Sequence, residues 1–128
     1  MAIPSGSGTE VLQRGWFHGL SAADVFAKFD GTQSSTTNTN AVPAHTIITI
    51  LNIVFQNQDS SNDELINMRV EYLGTDLCGL LSVQPLPASS TFVWSDKLIL
   101  RPTDQLVFAL DSTGNVDVHF NFIIQDWT

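Results

Sequence analysis

The stretch Gln105-Leu106-Val107-Phe108-Ala109-Leu110, Asp111-Ser112-Thr113-Gly114-Asn115, Val116-Asp117-Val118-His119-Phe120-Asn121-Phe122-Ile123-Ile124 decides the fold. Leu106, Phe108 and Leu110 alternate with Gln105, Val107 and Ala109. After the polar break, Val116, Val118, Phe120, Phe122 and Ile124 resume the beat, with Asp117, His119 and Asn121 between them. Side chains along a strand point to opposite faces in turn, so each run presents one face to be covered and one that meets water or a partner. The break is rich in residues that tolerate positive φ or cap their own backbone, and Gly114 and Asn115 are expected to turn the corner. The reading is an antiparallel β-hairpin.

Upstream of it lie more short strands. Arg101-Pro102-Thr103-Asp104 is a turn, and Leu98-Ile99-Leu100 and Phe92-Val93-Trp94 are short apolar segments on either side of Ser95-Asp96. Leu77 to Val83 reads as a strand closed by Pro85-Leu86-Pro87-Ala88, because proline cannot continue a ladder. Leu65 to Tyr72 carries Ile66, Met68, Val70 and Tyr72 on one face and Asn67, Arg69 and Glu71 on the other, with Gly74 ending it. Asn57 to Asp63 is a polar loop; Asp59, Asp63 and Glu64 lack the alternating acids and the glycine of a calcium-binding loop. Thr46 to Phe55 is the most apolar strand: Ile48, Ile50 and Val54 fall on one face, and Ile47, Leu51, Ile53 and Phe55 on the other. One face of such a strand is normally wet. The excess therefore marks a subunit contact or a cover such as the aromatic stretch at Trp16, unless this is simply the central strand of a thick sandwich.

Toward the N-terminus, Gly15-Trp16-Phe17-His18-Gly19 is a short aromatic strand whose adjacent rings must face opposite sides. Residues 1–12 hold Pro4, Gly6 and Gly8 and offer only Ile3, Val11 and Leu12 for burial. They are expected to be mobile in an isolated copy and are read as an extended arm that orders on a neighbouring subunit through sheet-edge hydrogen bonds. Ser21 to Asp30 is read as a short helix or turn, from Ser21 with Asp24 three residues on and the spacing of Val25, Phe26 and Phe29. Gly31 to Ala41 is a polar surface loop. About eight short strands punctuated by turns give an all-β fold, an antiparallel β-sandwich or jelly roll over residues 13–128.

Composition narrows the function. The chain has 128 residues, enough for one domain, and a formal net charge of −8 with only 14% charged residues. Its five basic residues are scattered, which excludes the clustered positive charge that nucleic-acid binding needs. Cys78 is the sole cysteine, so no intrachain disulfide or multi-cysteine metal site forms, and a small buried apolar role is expected for it. The N-terminus has no secretory signal. Ile47 to Phe55 is too short to span a membrane. Synthesis in the cytoplasm is expected.

The search for chemistry returns no catalytic, cofactor or metal set. His18, His45 and His119 sit in unrelated contexts, none beside a glycine-framed serine, and do not supply the closely spaced ligands of a cupin metal site. Most acids lie in turns, as backbone caps. Trp16, Trp94 and Trp127 would be the best sugar-stacking platform, set against the plainer reading as core or contact residues.

The ending Leu98-Ile99-Leu100-Arg101-Pro102-Thr103-Asp104-Gln105-Leu106 with its alternating strand, Asp111-Ser112-Thr113-Gly114 and Val116-Asp117-Val118-His119-Phe120 resembles the close of small tailed-bacteriophage structural proteins. The opening Met1 to Leu12 is similar in style, and head decoration, or cement, proteins are the nearest group. That resemblance implies a homotrimer on the virion surface that binds the major capsid protein and stabilises the shell. Contact residues expected on this reading are Trp16, Phe17, Ile47, Leu51, Ile53 and Phe55, with Ile3, Val11 and Leu12 in the clasp. The alternative is a phage tail or host-recognition β-sandwich that binds a glycan; a cupin-type enzyme is a third class.

Overall fold

The computed structural model describes residues 9–37, 42–72 and 75–127. They form nine strands: β1 (Thr9–Leu20), β2 (Val25–Phe26), β3 (Thr46–Asn57), β4 (Glu64–Tyr72), β5 (Asp76–Leu86), β6 (Thr91–Trp94), β7 (Leu98–Leu100), β8 (Gln105–Leu110) and β9 (Val116–Asp126). No helix occurs among the described residues. Sheet A runs β1-β9-β3, with β6 and β7 both on the far edge of β3; sheet B runs β2-β8-β4-β5. Every named strand pair is antiparallel. With β6 and β7 taken as one broken strand, this is the eight-strand jelly-roll order, the β-sandwich that the strand count implies.

The expected C-terminal hairpin is corrected. β8 pairs with β2 and β4 in sheet B, while β9 pairs with β1 and β3 in sheet A. Residues 111–115 therefore arch from one sheet to the other across a gap of roughly 10 Å. All six residues of β8 are buried, so it needs strands on both edges and cover on both faces. Neither Gly114 nor Asn115 has a positive φ. Gly114 is required instead because a Cβ there would lie 1.9 Å from Glu64 Oε2 and 2.7 Å from Leu110 Cδ1.

Between the sheets the core is largely aromatic. Phe120 packs against Phe29, Phe108 and Phe122 at centroid distances of 5.9, 5.8 and 5.7 Å, and Phe55 meets Phe108 at 5.7 Å. The Phe120 ring lies directly on the β1 backbone, so close that a Cβ at Gly15 would be 2.1 Å from it.

Three other expectations change. The segment from Ser21 to Asp30 is no helix: Val25 and Phe26 form β2, and the backbone on either side is spent on β8, with Leu110 N–H donating to Ser21 O and Ala27 N–H to Leu106 O, each at 2.9 Å. Cys78 is exposed, on the edge strand β5. Residues 9–12, assigned to an arm, are the first turn-free part of β1 and pair with residues 123–126 of β9; residues 1–8, including Ile3, and Gly74 lie outside the described residues.

Candidate functional site

The outer face of sheet A is built by register. Two rows, apolar except for Thr49 in one and His119 in the other, cross it from edge to edge. One consists of Leu12, Ile123, Thr49 and Ile99, and the other of Trp16, His119, Val54 and Val93. Leu12 is 70% exposed, Ile99 56%, Val93 52% and Trp16 37%. A polar row of Arg14, Asn121 and Asn52 runs between them, with Asn121 Nδ2 donating to Asn52 Oδ1 at 2.8 Å.

A β-bulge in β3 sets which residues reach this face. Register slips between Ile50 and Asn52, so Ile48 and Ile50 before it and Ile53 and Phe55 after it all point into the core. The expectation that Ile53 and Phe55 serve a subunit contact is thereby corrected: both are fully buried within one copy. Ile47, Leu51 and Val54 are half-buried on the outside. Of the residues expected at a contact, Leu12, Trp16, Ile47 and Leu51 share the outer face. Phe17 turns inward against the core, as adjacency to Trp16 requires. Val11 shares its inward parity but remains exposed.

Sequence reasoning missed Val93, Ile99 and Ile123. The signal was there for the first two, since each is the middle member of an apolar triplet whose outer members, Phe92 with Trp94 and Leu98 with Leu100, pack against or into the core.

At one end of this face a cleft of about 370 Å³ is lined by Arg14, Trp16, Phe17, His18, Asp117, Val118 and His119. His18 Nδ1 lies 2.7 Å from Asp117 Oδ1, which also accepts the Gly19 N–H at 3.2 Å. The His18 backbone N–H donates to Gln33 Oε1 at 3.1 Å, tying the strand edge to the following loop. The lining contains no Ser, Thr or Cys, so this His–Asp pair faces no nucleophile. The cleft presents an aromatic surface, a guanidinium and two imidazoles. The three tryptophans do not come together. Trp94 pairs with Ile53 on the core side, and the Trp127 ring meets His45 at 6.0 Å.

The acids serve the turns. Asp59 is held at about 2, first by the Ser61 N–H, then by the Asn62 and Ser61 side chains. Hydrogen bonds from Thr32 lower Asp30. Asp63 accepts the Ala88 N–H and Asp104 the Arg101 N–H, at 3.0 and 2.8 Å. Glu64 goes the other way: burial raises it, reinforced by the charge of Asp59. Among the described residues no group of three or more His, Cys, Asp or Glu side chains is placed to hold a metal ion.

No protein-family model matches the chain, and no curated protein matches it in sequence. Among solved structures it is similar to the CBM22-1 xylan-binding domain of Xyn10C from Paenibacillus barcinonensis (TM-score 0.47, 7% identity, 99% of both chains covered). It is similar to a chain in the acid-stable capsid of Helicobacter pylori bacteriophage KHP30 (0.47, 8% identity, 98% of this chain and 92% of that one). A third is Eiger TNF from S. frugiperda (0.43, 13% identity, 98% and 88%). Likenesses of this strength say nothing about what the present chain binds.

Proposed function

We propose that this protein is a non-enzymatic structural component of a bacteriophage virion, a decoration protein that attaches to the outside of a capsid and stabilises it. The observation that carries the reading is the pair of apolar rows on the outer face of sheet A, which a single copy leaves open to water. Asn52, Asn121 and Gln125 lie among them, with Glu10, Arg14 and Asp117 as the charged groups on the same face, and the ends of the chain resemble phage head proteins. Stabilisation follows from mass action, because only the assembled shell presents the binding site.

Magnitudes set the kind of contact. The four exposed side chains are already partly covered, so each contributes about 1 kcal/mol on docking, half or less of full burial. The half-buried Ile47, Leu51, Val54 and Ile123 add less. That total is close to the lower bound of about 4 kcal/mol for the freedom lost on association. One face on one site binds weakly; linked copies on a repeating lattice bind far more tightly.

The test is co-sedimentation of the purified protein with expanded capsids of a tailed phage. Binding is expected, and the double substitution Val93→Asp with Ile99→Asp is expected to abolish it while the circular dichroism spectrum stays unchanged. Binding indifferent to those two charges, or no binding at all, overturns the reading.

The cleft at Trp16 favours a second reading, a glycan-binding module, because an exposed tryptophan stands there beside Arg14, His18, Asp117 and His119. Titrating tryptophan fluorescence with a glycan panel tests it. A saturable change that Trp16→Ala removes supports this reading over the first.

A further inference from the structure

The two long edge strands of the sandwich differ in what they leave open. β5, on the edge of sheet B, is interrupted by two register slips, a left-handed Val83 at φ 47° and Pro85. Bulges, kinks and prolines of this sort keep an edge from pairing with another chain. β1, on the edge of sheet A, runs from Thr9 to Phe17 in unbroken register with β9. Among the described residues its free side is covered near Trp16, whose carbonyl accepts the Ser34 N–H at 2.9 Å, and at Arg14, whose N–H is taken by the Gln13 amide beside Gly31. No described residue pairs with the free side between Thr9 and Gly15.

Backbone direction follows by alternation. The Trp16 carbonyl points away from β9, and so does the Arg14 N–H, which is taken up by the Gln13 side chain at 3.2 Å. Leu12 and Glu10 share that parity, so their N–H and C=O groups also face outward. The side chains of Glu10, Leu12 and Arg14 all stand exposed on the outer face of sheet A.

This edge is self-complementary, and we propose that two copies of the chain join through it, β1 against β1, antiparallel about a twofold axis at Leu12. In that register each Leu12 exchanges both backbone hydrogen bonds with its counterpart, and each Glu10 lies directly opposite an Arg14. The contact thus has four backbone hydrogen bonds, rising to six when the two Gln13 amides give up the Arg14 N–H groups, together with one leucine pair and two ion pairs. Neighbouring registers fail: a centre at Arg14 opposes two guanidiniums, while centres at Val11 or Gln13 leave one or both charges facing an apolar side chain. Arg14 has no ion pair among the described residues, so the second copy supplies the carboxylate it lacks. Because the axis is perpendicular to the sheet, the apolar rows of both copies lie on the same side and form one surface of double width. The pairing does not depend on what that surface binds.

Sedimentation equilibrium of the full chain tests it without capsids. A concentration-dependent dimer is expected. Glu10→Arg or Arg14→Glu alone opposes like charges twice and should weaken association roughly tenfold or more, and the two together should restore it. Thermal melts matched to wild type establish that the variants fold. Independently, amide exchange at Leu12 should slow only at concentrations where the dimer forms. A wild-type monomer at 100 micromolar, a trimer, single variants that associate like wild type, a folded double variant that does not recover, or Leu12 exchange indifferent to concentration would each overturn the proposal.

Discussion

Sheets A and B share one core but arrange their outer faces differently. On the outside of sheet B, Arg69 pairs with Asp24 at 3.0 Å and approaches Glu71 at 3.7 Å, and Asn67 Nδ2 donates to Asp111 Oδ1 at 3.1 Å. Polar side chains there are linked within the same copy, although Arg69 Nε and Glu71 Oε2 are buried without a hydrogen bond and Leu65 and Leu77 are exposed on the same sheet. On the outside of sheet A, the apolar side chains of Leu12, Val93 and Ile99 are more than half exposed, and Arg14 has no ion pair among the described residues. A sandwich needs two dry inner faces for stability, but nothing in its folding requires a dry outer one. The difference therefore separates what holds the molecule together from what it offers to others.

Substitutions should divide along the same line. The largest effect belongs to the shared core: Phe120→Ala removes the ring that touches β1, β8 and its own strand, and should cost about 4 kcal/mol, measured by urea unfolding. Gly15→Ala should cost about 2 kcal/mol by driving a methyl into that ring. In the Phe120→Ala background the same change should cost almost nothing, since the obstacle is gone; additivity of the two would refute the contact. Substitutions on the two outer faces come next, and there stability and binding should part. Val93→Asn with Ile99→Asn should shift stability by less than about 1 kcal/mol yet remove capsid binding, whereas Asp24→Asn should shift it by a similar amount through loss of a surface ion pair and leave binding intact.

The smallest effect is the pH dependence, and two acids pull in opposite directions. Asp59 is depressed from 3.8 to about 2, so it stabilises the fold above pH 3.8 and that contribution is lost as pH falls toward 2. Glu64 is raised from 4.5 by burial, so its contribution is complete below pH 4.5 and is lost as pH rises through its folded value. Melting temperatures of Glu64→Gln should therefore lack the wild-type decline just above pH 4.5 and keep the acid limb that belongs to Asp59.

Faces were legible in the sequence; partners were not. Alternation in β8 and β9 places Phe108 and Phe120 in the core correctly, but a period of two is the same whether consecutive strands pair or cross between sheets. The distinguishing clue lay in β8 itself, where Val107 and Ala109 leave no wet face for a two-stranded corner. In β3 the apolar run hid a bulge, and Asn52 was its only mark: counting straight through it put Ile53 and Phe55 outside. Gly15 reads in the sequence only as the start of a short aromatic strand, whereas its role is to make room for a ring 105 residues away, which no local pattern encodes. The outer face of sheet A was half-visible, through Leu12, Trp16, Ile47 and Leu51. Its other half comes from β6, β7 and β9, and appears only once the register aligns them.

The jelly-roll order places β9 between β1 and β3. During synthesis the first and third strands leave the ribosome long before the segment that must slot between them, so sheet A has no middle until residues 116–126 emerge. Every hydrogen bond along that seam closes a long loop, which places the chain among slow, late-folding β proteins. Its two longest strands wait for the last one with edges unpaired, and it is in that interval that the chain is most open to aggregation.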